Sequence, residues 1–354
     1  MHTDFYPIKL TPIYKEMVWG GNRLNTVYNR DIPSDKTGES WEISCRPNEM
    51  GIIENGTLAG LPLGEYIKGN PAAVLGTRLK DVKDFPLLIK LIDANDALSI
   101  QVHPDDIYAK QTGSPDLGKS EMWCILQPPH DGDLIIGLKP GVTKETFATA
   151  YKNGTILNCL NKLKVKSGDI VNIPAGLVHA LTPGVMVAEV QQNSDITYRL
   201  YDYDRLGLDG KPRPLHVEDG LNVSDYSGKL PIAAIEGLTI KKGNNQLTYS
   251  ICNRYFAIIK YALSEPITES SNPETFAIFT CVEGDATITA NGVTALLPQG
   301  SSVFIPAATG EYTIDTKNAV LLKSFVPDTN TDFINPLTKH GYTLEEIHSK
   351  VSFL

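Results

Sequence analysis

Ala97-Leu98-Ser99-Ile100-Gln101-Val102-His103-Pro104 alternates with a period of two. Successive side chains of a strand point to opposite faces, so Leu98, Ile100 and Val102 share one face and Ser99, Gln101 and His103 the other. Both faces look committed. Upstream, Pro86-Leu87-Leu88-Ile89-Lys90-Leu91-Ile92 reads as a central strand with a lysine in its middle. A buried ammonium is costly unless paired, so Lys90 is expected to point into a polar cavity. Downstream, Lys119-Ser120-Glu121-Met122-Trp123-Cys124-Ile125 puts Lys119 and Glu121 on one face, and Gly168-Asp169-Ile170-Val171-Asn172-Ile173-Pro174-Ala175-Gly176-Leu177-Val178-His179 ends on a second histidine. Gln101, His103, Glu121 and His179 together predict a metal site lining a β-barrel.

The rest of the chain bounds this reading. Its 354 residues exceed the usual single core, so two domains of ~100 to 200 residues are expected. With 42% hydrophobic and 21% charged residues the chain has ample core-forming material, which excludes general disorder. A net charge of -9 without a basic stripe argues against a nucleic-acid partner, and an anionic substrate would need a local positive pocket. Met1-His2-Thr3-Asp4-Phe5-Tyr6-Pro7 has no signal-peptide pattern, and no run approaches the roughly 20 apolar residues of a membrane span. Cys45, Cys124, Cys159, Cys252 and Cys281 are scattered, without a Cys-x-x-Cys pair, and are expected to be free thiols in a reducing cytoplasm.

Short β-like runs fill residues 1 to 57, including Gly38-Glu39-Ser40-Trp41-Glu42-Ile43-Ser44. One or two short helices are predicted between Leu61 and Leu75, the second with Asn70 as N-cap and Pro71 at its first position. Another is predicted over Pro104 to Gln111, capped by Asp105 or Asp106, and a third over Thr143 to Tyr151, closed by Asn153-Gly154. Two strands around Asn193-Ser194-Asp195 would place Glu189 with Gln191, and Thr197 with Arg199 and Tyr201. Residues 205 to 235 read as a connection, giving one domain over 1-230 and a second over 231-354.

The second half echoes the first. Gly168 and Pro174 have the spacing of Gly300 and Pro306, but Glu311 stands where the first copy has His179. The second copy is therefore expected to keep the architecture without the metal.

These motifs resemble the cupins and, within them, the type I mannose-6-phosphate isomerase family. Gly168, Pro174, Gly176 and His179 match the cupin motif Gly-x5-Pro-x-Gly-x2-His without gaps. Leu98 to Asp105, Lys119 to Trp123 and Pro174 to Ala180 are similar to the isomerase signatures, including a glutamine in place of the first cupin histidine. The resemblance implies a mainly β fold of two cupin-type barrels (jelly rolls) with a few short helices, in the compact bacterial form that lacks a large helical insertion. It implies interconversion of mannose 6-phosphate and fructose 6-phosphate through an enediol. By it Gln101, His103, Glu121 and His179 would hold one Zn²⁺, Arg199 would be the catalytic arginine, and Lys119 and Glu189 would serve proton transfer or substrate contact.

The residue chemistry agrees with that assignment. An aldose-ketose isomerase must polarise the carbonyl and hydroxyl at C1 and C2, remove the C2 proton and stabilise an enediolate. A metal or guanidinium meets the first and last needs, and a carboxylate or lysine the second. Lys90 and Ser99 are assigned to substrate phosphate, the competing role being polar pairing with Asp93 or Gln101; for Arg199 the competing role is a salt bridge to Asp195, Asp202 or Asp204. His2, His130, His216, His340 and His348 are left as structural or surface residues. The alternatives are a sugar-phosphate-binding cupin without turnover and, on the His103, Glu121 and His179 triad, an Fe(II) oxygenase. A monomer or homodimer is expected.

Overall fold

The computed structural model describes residues 4–354, so His2 lies outside the described residues. The fold is mainly β. One six-stranded sheet runs in the order Ile13–Gly21, Thr37–Ile43, Leu87–Asp93, Met186–Gln192, Glu121–Gln127, Ile170–Ile173, and a five-stranded sheet in the order Tyr198–Tyr201, Ile100–Val102, His179–Ala180, Asp133–Leu138, Leu160–Lys164. A core containing Trp19, Ile92, Trp123, Leu134, Ile136, Val171 and Ile173 draws on both sheets. Behind the five-stranded sheet, Ile100 and Val102 pack in a second cluster with Phe147 of the helix Lys144–Lys152. The alternation holds within the strand, where Ile100 and Val102 enter this second cluster, but not at Leu98, which precedes the strand, joins the first core and lines the same cavity as Ser99 and Gln101.

The chain divides into two compact units, one comprising Tyr14–Ser40 with Lys90–Ala234 and the other comprising Trp41–Ile89 and Ile235–Leu354 with the described residues up to Ile13. The second unit has a six-stranded sheet, Leu238–Lys242, Asn245–Cys252, Ala257–Leu263, Ala319–Phe325, Ala277–Gly284, Ser302–Ile305, and a four-stranded one, Ile267–Ser270, Glu311–Asp315, Ala286–Ala290, Val293–Leu297. The echo read from the sequence is repeated in the backbone. Gly168 and Gly300 adopt φ of 81° and 76°, a left-handed conformation that a Cβ would strain. Each amide donates across to a neighbouring strand at 2.8 Å, Gly168 to Ile125 O and Gly300 to Cys281 O.

The predicted helix signals hold. Asn70 Oδ1 accepts from Ala73 N ahead of Pro71–Leu75, Asp105 caps Asp106–Gln111, and Thr143 forms a capping box with Thr146. Three expectations need correction. The sheets are open: the two edge strands of each do not pair with one another, so no ladder closes into a barrel. Met186–Gln192 and Tyr198–Tyr201 do not form a hairpin, because they belong to different sheets. Ser194 is buried there, its Oγ donating to Leu117 O at 2.8 Å, so the segment is a buried crossing between sheets rather than a solvent turn. Residues 205 to 235 are more than a connection, since Val217–Val223 is helical. A Cβ on its Gly220 would lie 2.6 Å from Leu200 Cδ2, and only glycine permits that approach.

Candidate active site

Three neighbouring strands deliver the first group of side chains. Gln101 lies opposite His179 in one strand pair and opposite Arg199 in the other. Directly opposed residues share a face, so all three project to the same side of the sheet. From the other sheet comes Glu121, paired with Ile173 and Gln191.

His103, Glu121 and His179 are buried, and their ligand atoms lie within 4.8 Å of one another. His103 Nδ1 meets Ile196 O and His179 Nδ1 meets Leu177 O, each at 2.8 Å. A carbonyl only accepts, so both rings carry their proton on Nδ1 and turn the Nε2 lone pair inward, the tautomer a metal ligand needs. Glu121 Oε2 stands 3.4 Å from His103 Nε2, and Oε1 stands 3.3 Å from His179 Nε2. Oε2 is also 3.1 Å from Lys119 Nζ yet has no well-directed hydrogen bond, a costly state for a buried carboxylate oxygen. Burial, assisted by the Lys119 charge, pushes His103 down to about 3 and so keeps it neutral. Burial would raise the Glu121 carboxyl, but Lys119, His103 and His179 together hold it well below its ordinary value. Two neutral imidazoles and a carboxylate facing one point fit a divalent metal.

Gln101 is a less complete fit. It presents Nε2 to His179 Nε2 at 3.3 Å, while its Oε1 accepts from Ser99 Oγ at 3.2 Å. Exchanging the two amide ends would bring the oxygen to the cluster.

A cavity of about 400 Å³ is lined by Lys90, Ser99, Gln101, Lys119, Glu189 and Arg199, so the predicted catalytic and substrate residues reach one space. Lys119 Nζ lies 3.2 Å from His103 Nε2. Glu189 is buried; its Oε1 accepts from Trp123 Nε1 at 2.9 Å, and its Oε2 has no hydrogen-bond partner. Burial, reinforced by the Glu121 charge, pushes its carboxyl up to about 7 against the opposing pull of Lys90 and Lys119.

Lys90 is paired as expected, but with other partners. Its Nζ lies 3.3 Å from Glu39 and 3.7 Å from Glu189, whereas Asp93 is taken by Arg23, whose backbone N donates to it at 2.7 Å. Among the described residues Arg199 makes no ion pair: Nη1 donates to Pro214 O at 2.9 Å, Nε is buried without a hydrogen-bond partner, and Asp202 is engaged by Arg205 and Arg213. Glu39, Arg213 and His216 also line the cavity and were missed. For Glu39 the signal was present, an inward carboxylate in the Gly38–Ile43 alternation able to meet Lys90. His216, read as a structural or surface residue, also lines the cavity, where its Nδ1 accepts from Arg199 N at 3.4 Å.

Comparison with known proteins identifies the family. The family model of the phosphomannose isomerase type I catalytic domain matches residues 8–147, and that of the mannose-6-phosphate isomerase cupin domain matches residues 245–326. The chain is 38% identical to the Bacillus subtilis protein named "Probable mannose-6-phosphate isomerase GmuF", over 88% of this chain and 96% of that one. It is 33% identical to the mannose-6-phosphate isomerase of Streptococcus mutans over 87% and 95% of the two chains. The crystal structure of mannose 6-phosphate isomerase from Bacillus subtilis superposes with a TM-score of 0.83 at 33% identity, covering 90% of this chain and 99% of that one. With its cupin fold and this clustered site, the chain belongs to the type I mannose-6-phosphate isomerase family.

Proposed function

We propose that the protein interconverts mannose 6-phosphate and fructose 6-phosphate through an enediol, in the unit comprising Tyr14–Ser40 and Lys90–Ala234. The observation that carries this reading is the His103, Glu121 and His179 donor cluster standing beside the cavity that Lys119, Glu189 and Arg199 line, with Lys119 Nζ 3.1 Å from Glu121. Zn²⁺ is the proposed metal, held by His103 Nε2, His179 Nε2, the Glu121 carboxylate and the Gln101 amide oxygen after rotation. When bound, the ion supplies Lewis-acid polarisation of the substrate's oxygen atoms at C1 and C2.

Glu189 is the proposed base. Glu189 lines the cavity, its buried Oε2 makes no hydrogen bond and only a 3.7 Å ion pair to Lys90, and its raised pKa makes it a stronger acceptor for the C2 proton. Lys119 and Arg199 offset the enediolate charge, Arg199 through a guanidinium whose Nε is not otherwise used. Lys90 and Ser99 orient the substrate, and the excess of cations on the wall suits a phosphorylated sugar.

The test is a coupled assay of fructose 6-phosphate formation on protein stripped of metal and then resupplied with zinc. Activity should vanish with the metal and return with it. An unchanged rate after verified removal refutes the metal-dependent mechanism.

A further inference from the structure

The unit containing Ile235–Leu354 has a cavity of about 200 Å³ of its own, and the isomerase chemistry uses none of its residues. Glu269 is among the residues that line it. Tyr261 OH donates to the Glu269 carboxylate at 3.0 Å, Lys323 Nζ at 3.1 Å, Tyr312 OH at 3.2 Å and Lys242 Nζ at 3.2 Å. Four donors fill the roughly four lone-pair sites of a carboxylate, so Glu269 has no capacity left for a ligand. Its neighbours do. Lys323 uses two of its three N–H groups, on Glu269 and on Tyr261 OH at 3.4 Å. Tyr312 gives its proton to Glu269 and keeps oxygen lone pairs that can accept.

A second observation is independent of that network. Thr275 lines the same cavity, is only 3% exposed, and its Oγ1 has no hydrogen-bond partner. A buried hydroxyl left unmade is costly, and a ligand hydroxyl would satisfy it. The charges on the wall cancel, Lys242 and Lys323 against Glu269 and Asp332, and the rings of Tyr249, Tyr261 and Phe276 supply apolar surface. Spare donors and acceptors beside aromatic faces without net charge match a molecule that carries hydroxyls on one side and C–H groups on the other. Its size is limited, because the space is below the roughly 300 Å³ typical of drug-sized sites.

We infer that this cavity is a second, non-catalytic binding site for a small uncharged polyol of monosaccharide size, held by Thr275, Lys323 and Tyr312.

The experiment is calorimetric titration of the full-length, zinc-loaded protein with free mannose and, separately, with inorganic phosphate, comparing wild type with Thr275→Val and Tyr312→Phe. Each substitution removes one hydroxyl and should weaken the affected mannose binding by up to about tenfold. Isomerase kcat should be unchanged in both variants, since neither residue belongs to the catalytic cavity. Thr275→Val preserves side-chain shape and decides the matter if Tyr312→Phe does not fold. Mannose binding that is absent, or identical in wild type and Thr275→Val, overturns the inference. Thr275-dependent binding of phosphate but not mannose overturns the uncharged-ligand assignment. Failure of the isomerase reading would appear separately, as absent turnover in the wild type.

Discussion

Glu189→Gln should slow the reaction and stabilise the metal-free fold. Gln keeps an oxygen for the Trp123 Nε1 bond, and Lys90 keeps Glu39 at 3.3 Å, so the substitution removes charge with little change of shape. The carboxyl is raised from 4.5 to about 7, chiefly by burial. A raised carboxyl pKa means that the folded state resists ionisation. Its favourable contribution is complete below the unfolded pKa and is lost as pH rises through the folded one. With these two pKa values the penalty is about 1 kcal/mol at pH 5 and about 3 kcal/mol at pH 8. Denaturant unfolding of the metal-free proteins should therefore show a gain for Glu189→Gln that grows by about 2 kcal/mol over that interval. In the zinc-loaded enzyme, kcat should fall ~10²- to 10⁴-fold with little change in KM. A variant with wild-type kcat, or a stability difference independent of pH, would refute the assignment of Glu189 as a strained base.

Arg199→Ala should lower kcat by ~10²- to 10³-fold with zinc content intact, and Arg199→Lys should recover only part of the loss; turnover within a few-fold of wild type would return Arg199 to a structural role. His179→Ala should lose stoichiometric zinc in elemental analysis after dialysis while remaining folded by circular dichroism; full retention of zinc would remove His179 from the ligand set. Acid stability should depend on Glu269, whose carboxyl is held at about 2 by Lys323 and Lys242 despite burial. A depressed carboxyl stabilises above its unfolded value of 4.5 and loses that contribution as pH falls through about 2, so Glu269→Gln should cost about 3 kcal/mol near neutrality and progressively less toward pH 2 in denaturant titrations. A pH-independent cost would contradict the ion-pair account.

Local chemistry made the caps at Asn70, Asp105 and Thr143 legible, because each cap is decided by a few adjacent residues. The alternation around Gln101 likewise separated Ile100 and Val102 from Ser99 and Gln101, but it misplaced Leu98, which lines the cavity because regular strand begins only at Ile100. What the sequence does not expose is which sheet a strand joins. Asn193-Ser194-Asp195 has turn composition, yet burial of Ser194 against Leu117 O makes it a crossing. The partners of Lys90 were misread for the same reason: Asp93 is close in sequence, but Arg23 claims it, while Glu39 reaches Lys90 from a distant strand. Arg199 stands beside several aspartates in sequence without pairing to them, since Asp202 is engaged by Arg205 and Arg213.

The pairing of Gln101 with both His179 and Arg199 also governs when the site can come into being. Gln101 and His179 are 78 residues apart, and Arg199 is farther still. Closing such loops costs entropy before any contact rewards it, and non-local strand pairing is correspondingly slow. A growing chain that ends before His179 already carries Gln101, His103 and Glu121 but lacks the strand that lies between Ile100–Val102 and Asp133–Leu138. The candidate donors His103, Glu121 and His179 are therefore expected to converge late in folding, once the His179 strand has joined its sheet.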